Sequence, residues 1–227
     1  MSFLNLQHTP DKALREEIIR TALKMNRLGI NQGKSGNVSA RVSDPNVAYL
    51  ITPTGVPYDD TRPEQIVAMR PDGTFDGDTL PSSEWRFHHD IYAARSDVNA
   101  VVHTHSPYAT TLACMDRAIP PFHYMVAVAG GKDIRCAPYA TFGTQSLSDL
   151  AVAALHDRTA CLLSHHGMIA CGVNLEKALA LAVEVESLAR MFWQALQIGE
   201  PTLLSDGEMA NVLEKFKTYG QQHVAGN

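Results

Sequence analysis

The segment Val101-Val102-His103-Thr104-His105 constrains this chain more than any other. An apolar run of this length reads as a buried β-strand, and a strand sends residues two apart to the same face. Its two histidines therefore share a face just where the buried segment ends, an arrangement suited to two neutral imidazoles on one metal ion. A second apolar run, residues 160–163, ends in Ser164-His165-His166-Gly167. One of that pair completes a three-histidine site and leaves zinc an open position for substrate. Spacing alone does not choose between His165 and His166.

The remaining elements follow from periodicity and punctuation. Thr9-Pro10 reads as the N-cap and first residue of a helix whose face carries Leu14, Ile18, Ala22, Met25 and Leu28, with Gly29 to close it. Residues 38–42 and 48–52 read as strands around the turn Asp44-Pro45-Asn46, and residues 66–70 as a short strand. Helices are expected from Ser82 or Ser83, as cap, to about Arg95, and over residues 108–115, 146–157, 174–198 and 206–218. Asn174 caps the fourth of these. Residues 124–129 read as a strand. Strands cluster in pairs with helices between the clusters, so the predicted class is α/β, with a mostly antiparallel or mixed sheet sandwiched between helices. No repeat or long linker divides residues 1–227, which are expected to form a single domain.

Composition narrows the partners. A net charge of −5 over 227 residues argues against a broad grip on nucleic acid or an anionic membrane. The first nine residues lack a basic and apolar leader, no stretch reaches membrane-spanning length, and Cys114, Cys136, Cys161 and Cys171 form no Cys-x-x-Cys pair. These cysteines are expected to be reduced, mostly buried thiols in a cytoplasmic protein.

Small anions still have places to bind. Ser82 and Ser83 precede a helix, where they cap it or join its free N–H groups in holding a phosphate. Glu84 is expected in that helix's first turn. Gly33-Lys34-Ser35-Gly36-Asn37 and Thr52-Pro53-Thr54-Gly55 adjoin strands and allow close backbone approach to a phosphate, though neither matches a P-loop. His88 lies within helical reach of Glu84; neither His88 nor His89 is read as a ligand.

Taken together, these segments resemble the class II aldolase/epimerase family. The resemblance is carried by Asn31-Gln32-Gly33, Gly36-Asn37-Val38-Ser39 and Leu50-Ile51-Thr52-Pro53-Thr54-Gly55. It continues in Leu80-Pro81-Ser82-Ser83-Glu84-Trp85-Arg86-Phe87-His88, Ala100-Val101-Val102-His103-Thr104-His105, His123-Tyr124-Met125 and Ala137-Pro138-Tyr139-Ala140-Thr141-Phe142-Gly143-Thr144. His165-His166-Gly167, Val173-Asn174-Leu175-Glu176-Lys177-Ala178 and Lys215-Phe216-Lys217-Thr218-Tyr219-Gly220 complete it. The match runs through nearly the whole chain. Lys34, where relatives often carry a small residue, and the hairpin at residues 44–47 depart from the family pattern.

The resemblance implies an α/β/α sandwich, a homotetramer with active sites between subunits, and one zinc ion per subunit on His103, His105 and His166, with Glu84 nearby. It implies that Glu84 is the acid/base and that Asn37, Thr54, Gly55, Ser82 and Ser83 hold phosphate. It brings Tyr124 and Tyr219 from a neighbouring chain. The implied reaction cleaves a ketose 1-phosphate to dihydroxyacetone phosphate and a small aldehyde. L-Fuculose 1-phosphate is the first choice of substrate, and 5-deoxyribulose and methylthioribulose 1-phosphates suit the same machinery. A sugar-phosphate 4-epimerase, a methylthioribulose-1-phosphate dehydratase and a non-catalytic binding domain are the rival readings. Glu84 speaks against the first, because an Asp tends to stand there in epimerases. Glu84 retained with three histidines and both serines speaks against the last.

Overall fold

A computed structural model describes residues 11–218. Among them, β1 (Asn37–Arg41), β2 (Tyr49–Ile51), β3 (Val67–Met69), β4 (Ala100–Thr104), β5 (Cys136–Ala137), β6 (Ala160–Leu163) and β7 (Gly167–Gly172) form one sheet. Its order is β3-β2-β1-β4-β7-β6-β5. Neighbours pair antiparallel except β5 and β6, which are parallel. The sheet is thus mixed and mostly antiparallel, as expected.

Helices cover both faces. The strand period of two decides which side chain meets which layer. Val102 of β4 joins one core with Ile18, Ala22 and Met25 of α1 (Lys12–Arg27), Leu112 of α3 (Pro107–Ala113), Val185 and Leu188 of α5 (Leu175–Leu196), and Met209 of α6 (Asp206–Phe216). Val101 joins the other core with Phe87 and Ile91 of α2 (Trp85–Ala94) and Leu147 and Ala151 of α4 (Gln145–Ala154). His103 has the parity of Val101, so its ring lies on the α2 side. That parity brings the histidine strand to the helix that begins just after Glu84.

Local chemistry sets the helix ends. Gly29 adopts φ +71°, donates to the Asn26 carbonyl and closes α1 as expected. Asn174 caps α5 by accepting from Lys177 N–H at 2.9 Å. Thr144 and Ser205 cap α4 and α6 in the same way. Asp11 stands at the start of α1, and Thr9-Pro10 lies outside the described residues.

Three expectations are corrected. Residues Tyr124–Ala129 form a 3-10 helix and not a strand. The His123 ring accepts from Met125 N–H, Gly130 ends the turn at φ +85°, and Val126, Ala127 and Ala129 are buried without alternation. Local caps override the β-propensity of the run. Neither Ser82 nor Ser83 caps α2: Glu84 occupies that position, with Ser82 Oγ accepting from Glu84 N–H at 3.3 Å. Cys114 is exposed and Cys136 half-buried, so only Cys161 and Cys171 are buried thiols; all four are free.

Gly36, at the entry to β1, has no room for a side chain. A Cβ there would sit 2.5 Å from the His103 carbonyl oxygen and 2.8 Å from Asn31 Oδ1. Gly36→Ala is therefore expected to push β1 from β4 and to destabilise the fold by about 1–3 kcal/mol, as overpacking does. Urea denaturation checks this, and an unchanged midpoint would refute the close-approach argument.

Candidate active site

Four side chains from two parts of the sheet and one helix start converge. β4 presents His103 and, one residue beyond its end, His105. The β6–β7 turn presents His166, and Glu84 precedes α2. One ligand atom from each of Glu84, His103, His105 and His166 lies within 4.8 Å of the others. The three imidazole centroids are 4.8–4.9 Å apart. The structure thus brings His166, and not His165, to His103 and His105.

The turn explains that choice. His165 adopts φ +53°, its N–H reaches the Ala113 carbonyl, and His166 N–H bonds back to Leu163. Gly167 follows, where a Cβ would lie 2.5 Å from the Thr104 carbonyl oxygen. Only a residue without a side chain lets this turn press against the end of β4.

Hydrogen bonds set the ring tautomer of His103. A backbone carbonyl only accepts, so Nδ1–H of His103 donates to Met168 O at 2.9 Å, and the Nε2 lone pair faces the cluster. That Nε2 lies 3.1 Å from both His105 Nε2 and Glu84 Oε2. His166 Nε2 lies 3.0 Å from Glu84 Oε1. Burial, and then the neighbouring His103 and His166 rings, push His105 down to about 4, so it is neutral near pH 7.

Glu84 is 5% exposed. Burial works to raise its pKa, but the His103 and then the His166 ring beside it outweigh that and hold the carboxyl well below the usual range. Asn37 Nδ2 donates to Oε2 at 2.9 Å. Oε1 is buried and, despite His166 close by, has no hydrogen bond of sound geometry. An orphaned carboxylate oxygen beside converging imidazole nitrogens is a donor set that fits a divalent cation, nitrogen-rich as zinc prefers.

The cluster borders a cleft of about 300 Å³, which Ser35, Ser83, Tyr139, Phe142 and His165 also line. Three loops are stitched together beside it: Lys34 Nζ donates to Gly55 O at 2.7 Å, Thr54 N–H to Leu80 O, and Ser82 N–H to Thr52 O. Thr54, Gly55 and Ser83 are exposed there, whereas Ser82 is buried. Asn37, the other residue expected on phosphate, lies against Glu84. It is 2% exposed, and its amide is engaged by Glu84 on one side and His88 on the other.

Tyr124 is not at this cleft. It is half exposed on a larger cavity, about 910 Å³, between its 3-10 turn and α6, with Phe122, Val212 and Phe216. None of the four clustered residues lines that cavity, so its size does not make it the reactive site. Tyr219 lies outside the described residues. The sequence reading gave no role to His88, Ser39 or Tyr92, which pack behind Asn37. The signals available were the i,i+4 spacing of Glu84 and His88 and the shared strand face of Asn37 and Ser39.

Known proteins are similar to this chain along most of its length. A family model described as Class II Aldolase and Adducin N-terminal domain matches residues 16–193. A 5-methylthioribulose-1-phosphate/5-deoxyribulose-1-phosphate aldolase of Rhodospirillum rubrum is 57% identical over 208 residues, covering 92% of this chain and 93% of its own. An L-fuculose phosphate aldolase of Escherichia coli is 54% identical, covering 91% and 95%. A solved L-fuculose 1-phosphate aldolase superposes with a TM-score of 0.88 at 39% identity, covering 93% of this chain and 99% of that one. By sequence along most of its length and by fold, the chain belongs to the class II aldolase and adducin N-terminal domain family.

Proposed function

We propose that this chain is a zinc-dependent aldolase that cleaves a ketose 1-phosphate to dihydroxyacetone phosphate and a small aldehyde. The observation that carries the reading is the buried Glu84 carboxylate among His103, His105 and His166 at the floor of a cleft. Zinc held by these residues would act as a Lewis acid, drawing the electrons of the breaking C3–C4 bond toward the C2 carbonyl.

The protein's own groups do the rest. Glu84 delivers a proton to C3 once the bond has broken and removes it in the condensation direction. Its Oε1, unpartnered within the protein, faces the histidine cluster, where both the cation and the substrate proton would meet it. Ser83, Thr54 and Gly55 hold the phosphate on the exposed rim, with Ser82 fixing the backbone beneath and the Lys34 ammonium adding local positive charge. A phosphate so anchored keeps C3 beside Glu84 while C4 departs.

L-Fuculose 1-phosphate is the first-choice substrate, with lactaldehyde as the second product; the relative at 54% identity carries that name. The second reading, 5-deoxyribulose or methylthioribulose 1-phosphate, rests on the relative at 57% identity and on exposed Tyr139 and Phe142, which offer apolar surface to an aldehyde tail. Cleavage assays on the three ketose 1-phosphates, with both products trapped, decide between them.

The reading extends to assembly. Tyr124 exchanges a proton with the C4 oxygen, a task suited to a phenol, yet it lines a different cavity of its own chain. We therefore place Tyr124 at the site of a neighbouring subunit, in a cytoplasmic homotetramer; Tyr219, which the family resemblance brings to the same site, lies outside the described residues. No helix among the described residues is long and apolar enough to cross a membrane.

Removing metal with a chelator is expected to abolish cleavage, and one zinc per chain to restore it; full activity in verified metal-free protein would exclude this mechanism. Glu84→Gln keeps the side-chain volume but not the proton transfer. Its cleavage rate is expected to fall about a hundredfold or more, with metal content unchanged by elemental analysis. Coexpression of Glu84→Gln and Tyr124→Phe chains tests the shared site. If each site draws on two chains, random assembly leaves about a quarter of sites intact, and activity rises well above the mean of the parents. Activity no higher than that mean, in tetramers shown to be mixed, would place both residues in one chain.

A further inference from the structure

Behind Glu84 runs a chain of buried polar groups that the proposed chemistry does not use. Asn37 Nδ2 donates to Glu84 Oε2 at 2.9 Å. Asn37 Oδ1 meets His88 Nε2, and His88 Nδ1 lies 2.6 Å from Ser39 Oγ. Ser39 Oγ in turn lies 2.8 Å from Tyr92 OH. Asn37, Ser39 and Tyr92 are at most 4% exposed and His88 is fully buried. Asn37 and Ser39 sit on β1, His88 and Tyr92 on α2, at the i,i+2 and i,i+4 spacings that put each pair on one face.

The charge on Glu84 gives this chain a direction. A carboxylate only accepts, so the Asn37 amide must present its NH2 to Oε2 and its oxygen to His88. That oxygen requires a proton on His88 Nε2. Burial pushes the imidazole down to about 3, so it is neutral, and Nδ1 must be an acceptor. Ser39 O–H then donates to Nδ1, and Tyr92 O–H donates to Ser39. Every hydrogen bond points its donor toward Glu84. Without the His88 donor, the Asn37 oxygen loses its partner in this chain, and only the charge on Glu84 opposes rotation of the amide, which would set a carbonyl oxygen against Oε2.

We propose that His88, acting through Asn37, is a positioning residue that determines which oxygen of Glu84 carries the substrate proton. Oε2 is occupied by the amide donor, so a proton on the carboxyl resides on Oε1, the oxygen that faces His166 at 3.0 Å. The relay thus holds the carboxylate in one orientation and its working oxygen toward the histidine cluster. The proposal rests on the reading of Glu84 as the acid/base.

The test uses zinc-loaded enzyme and dihydroxyacetone phosphate in deuterium oxide, with C3 proton exchange followed by NMR. His88→Phe keeps a ring to stack on Phe87, its neighbour at 4.7 Å, but loses both nitrogens. Its maximal exchange rate is expected to fall about tenfold to a hundredfold, the size of one charge-assisted hydrogen bond. Half-saturation by dihydroxyacetone phosphate and zinc content should stay at wild-type values. His88→Gln returns a donor toward Asn37 and is expected to recover much of the lost rate. A packing role would leave the Gln and Phe variants alike, and that result overturns the proposal, as does wild-type exchange in His88→Phe. If His88→Phe fails to fold, Ser39→Ala replaces it, removing the hydroxyl donor that fixes the His88 tautomer. Exchange should then drop about threefold or more, and an unchanged rate overturns the proposal. No exchange in the wild type would overturn the aldolase reading itself, a result distinct from exchange that ignores His88.

Discussion

The burial of one ionised carboxylate governs this site. Glu84 is removed from water at the start of α2, and such a group is costly unless it is paired and hydrogen-bonded. The compensation comes from several elements at once: β1 through Asn37, β4 through His103, and the β6–β7 turn through His166. Each would be an ordinary buried or half-buried polar residue elsewhere. Here they are tied to one charge, and one oxygen of that charge is still left without a donor. The metal reading follows from that shortfall as much as from the count of histidines.

Such convergence demands close backbone approach, which explains the small residues around the site. Gly36 lets β1 lie against the His103 carbonyl, and Gly167 lets the β6–β7 turn lie against Thr104. Register completes the arrangement. Asn37 pairs with His103 across β1 and β4, while His103 pairs with Ile169 across β4 and β7. The Met168 carbonyl is then within reach of the His103 ring. A slip of one residue in either pairing would turn a ligand or its partner to the opposite face of the sheet.

Much of this was legible in the chain because it depends on short-range periodicity. The apolar strand ending in His103 and His105, the caps at Asn174 and Gly29, and the mixed sheet between helices all follow from spacing and turn chemistry. What was missed depends on tertiary neighbours. Residues 124–129 have the composition of a strand, and only the His123 cap and Gly130 turn them into a 3-10 helix. Asn37 sits beside a glycine loop that invites a phosphate reading, yet strand pairing turns its side chain inward to Glu84. Nothing local distinguishes His165 from His166; the positive φ at His165 does so, and that angle is imposed by the tight turn between β6 and β7.

The same contrast between buried and exposed residues bears on substrate choice. In the proposed reaction the groups beside C2 and C3, Glu84 and the three histidines, are set in the sheet and its turns and at the start of α2, where packing leaves little freedom. The side chains proposed to meet the aldehyde are exposed: Tyr139, Phe142 and His165 on one cleft, Tyr124 on another surface. Exposed loop positions change at little cost to stability, whereas the buried cluster cannot. Relatives at 57% and 54% identity can therefore bear names that differ in the aldehyde while the cleavage named is the same. Identity is counted over 208 residues, of which the few exposed side chains beside the cleft are a small share. On the proposed reading such side chains choose the aldehyde, so the cleft rim and not the percentage is the place to read it.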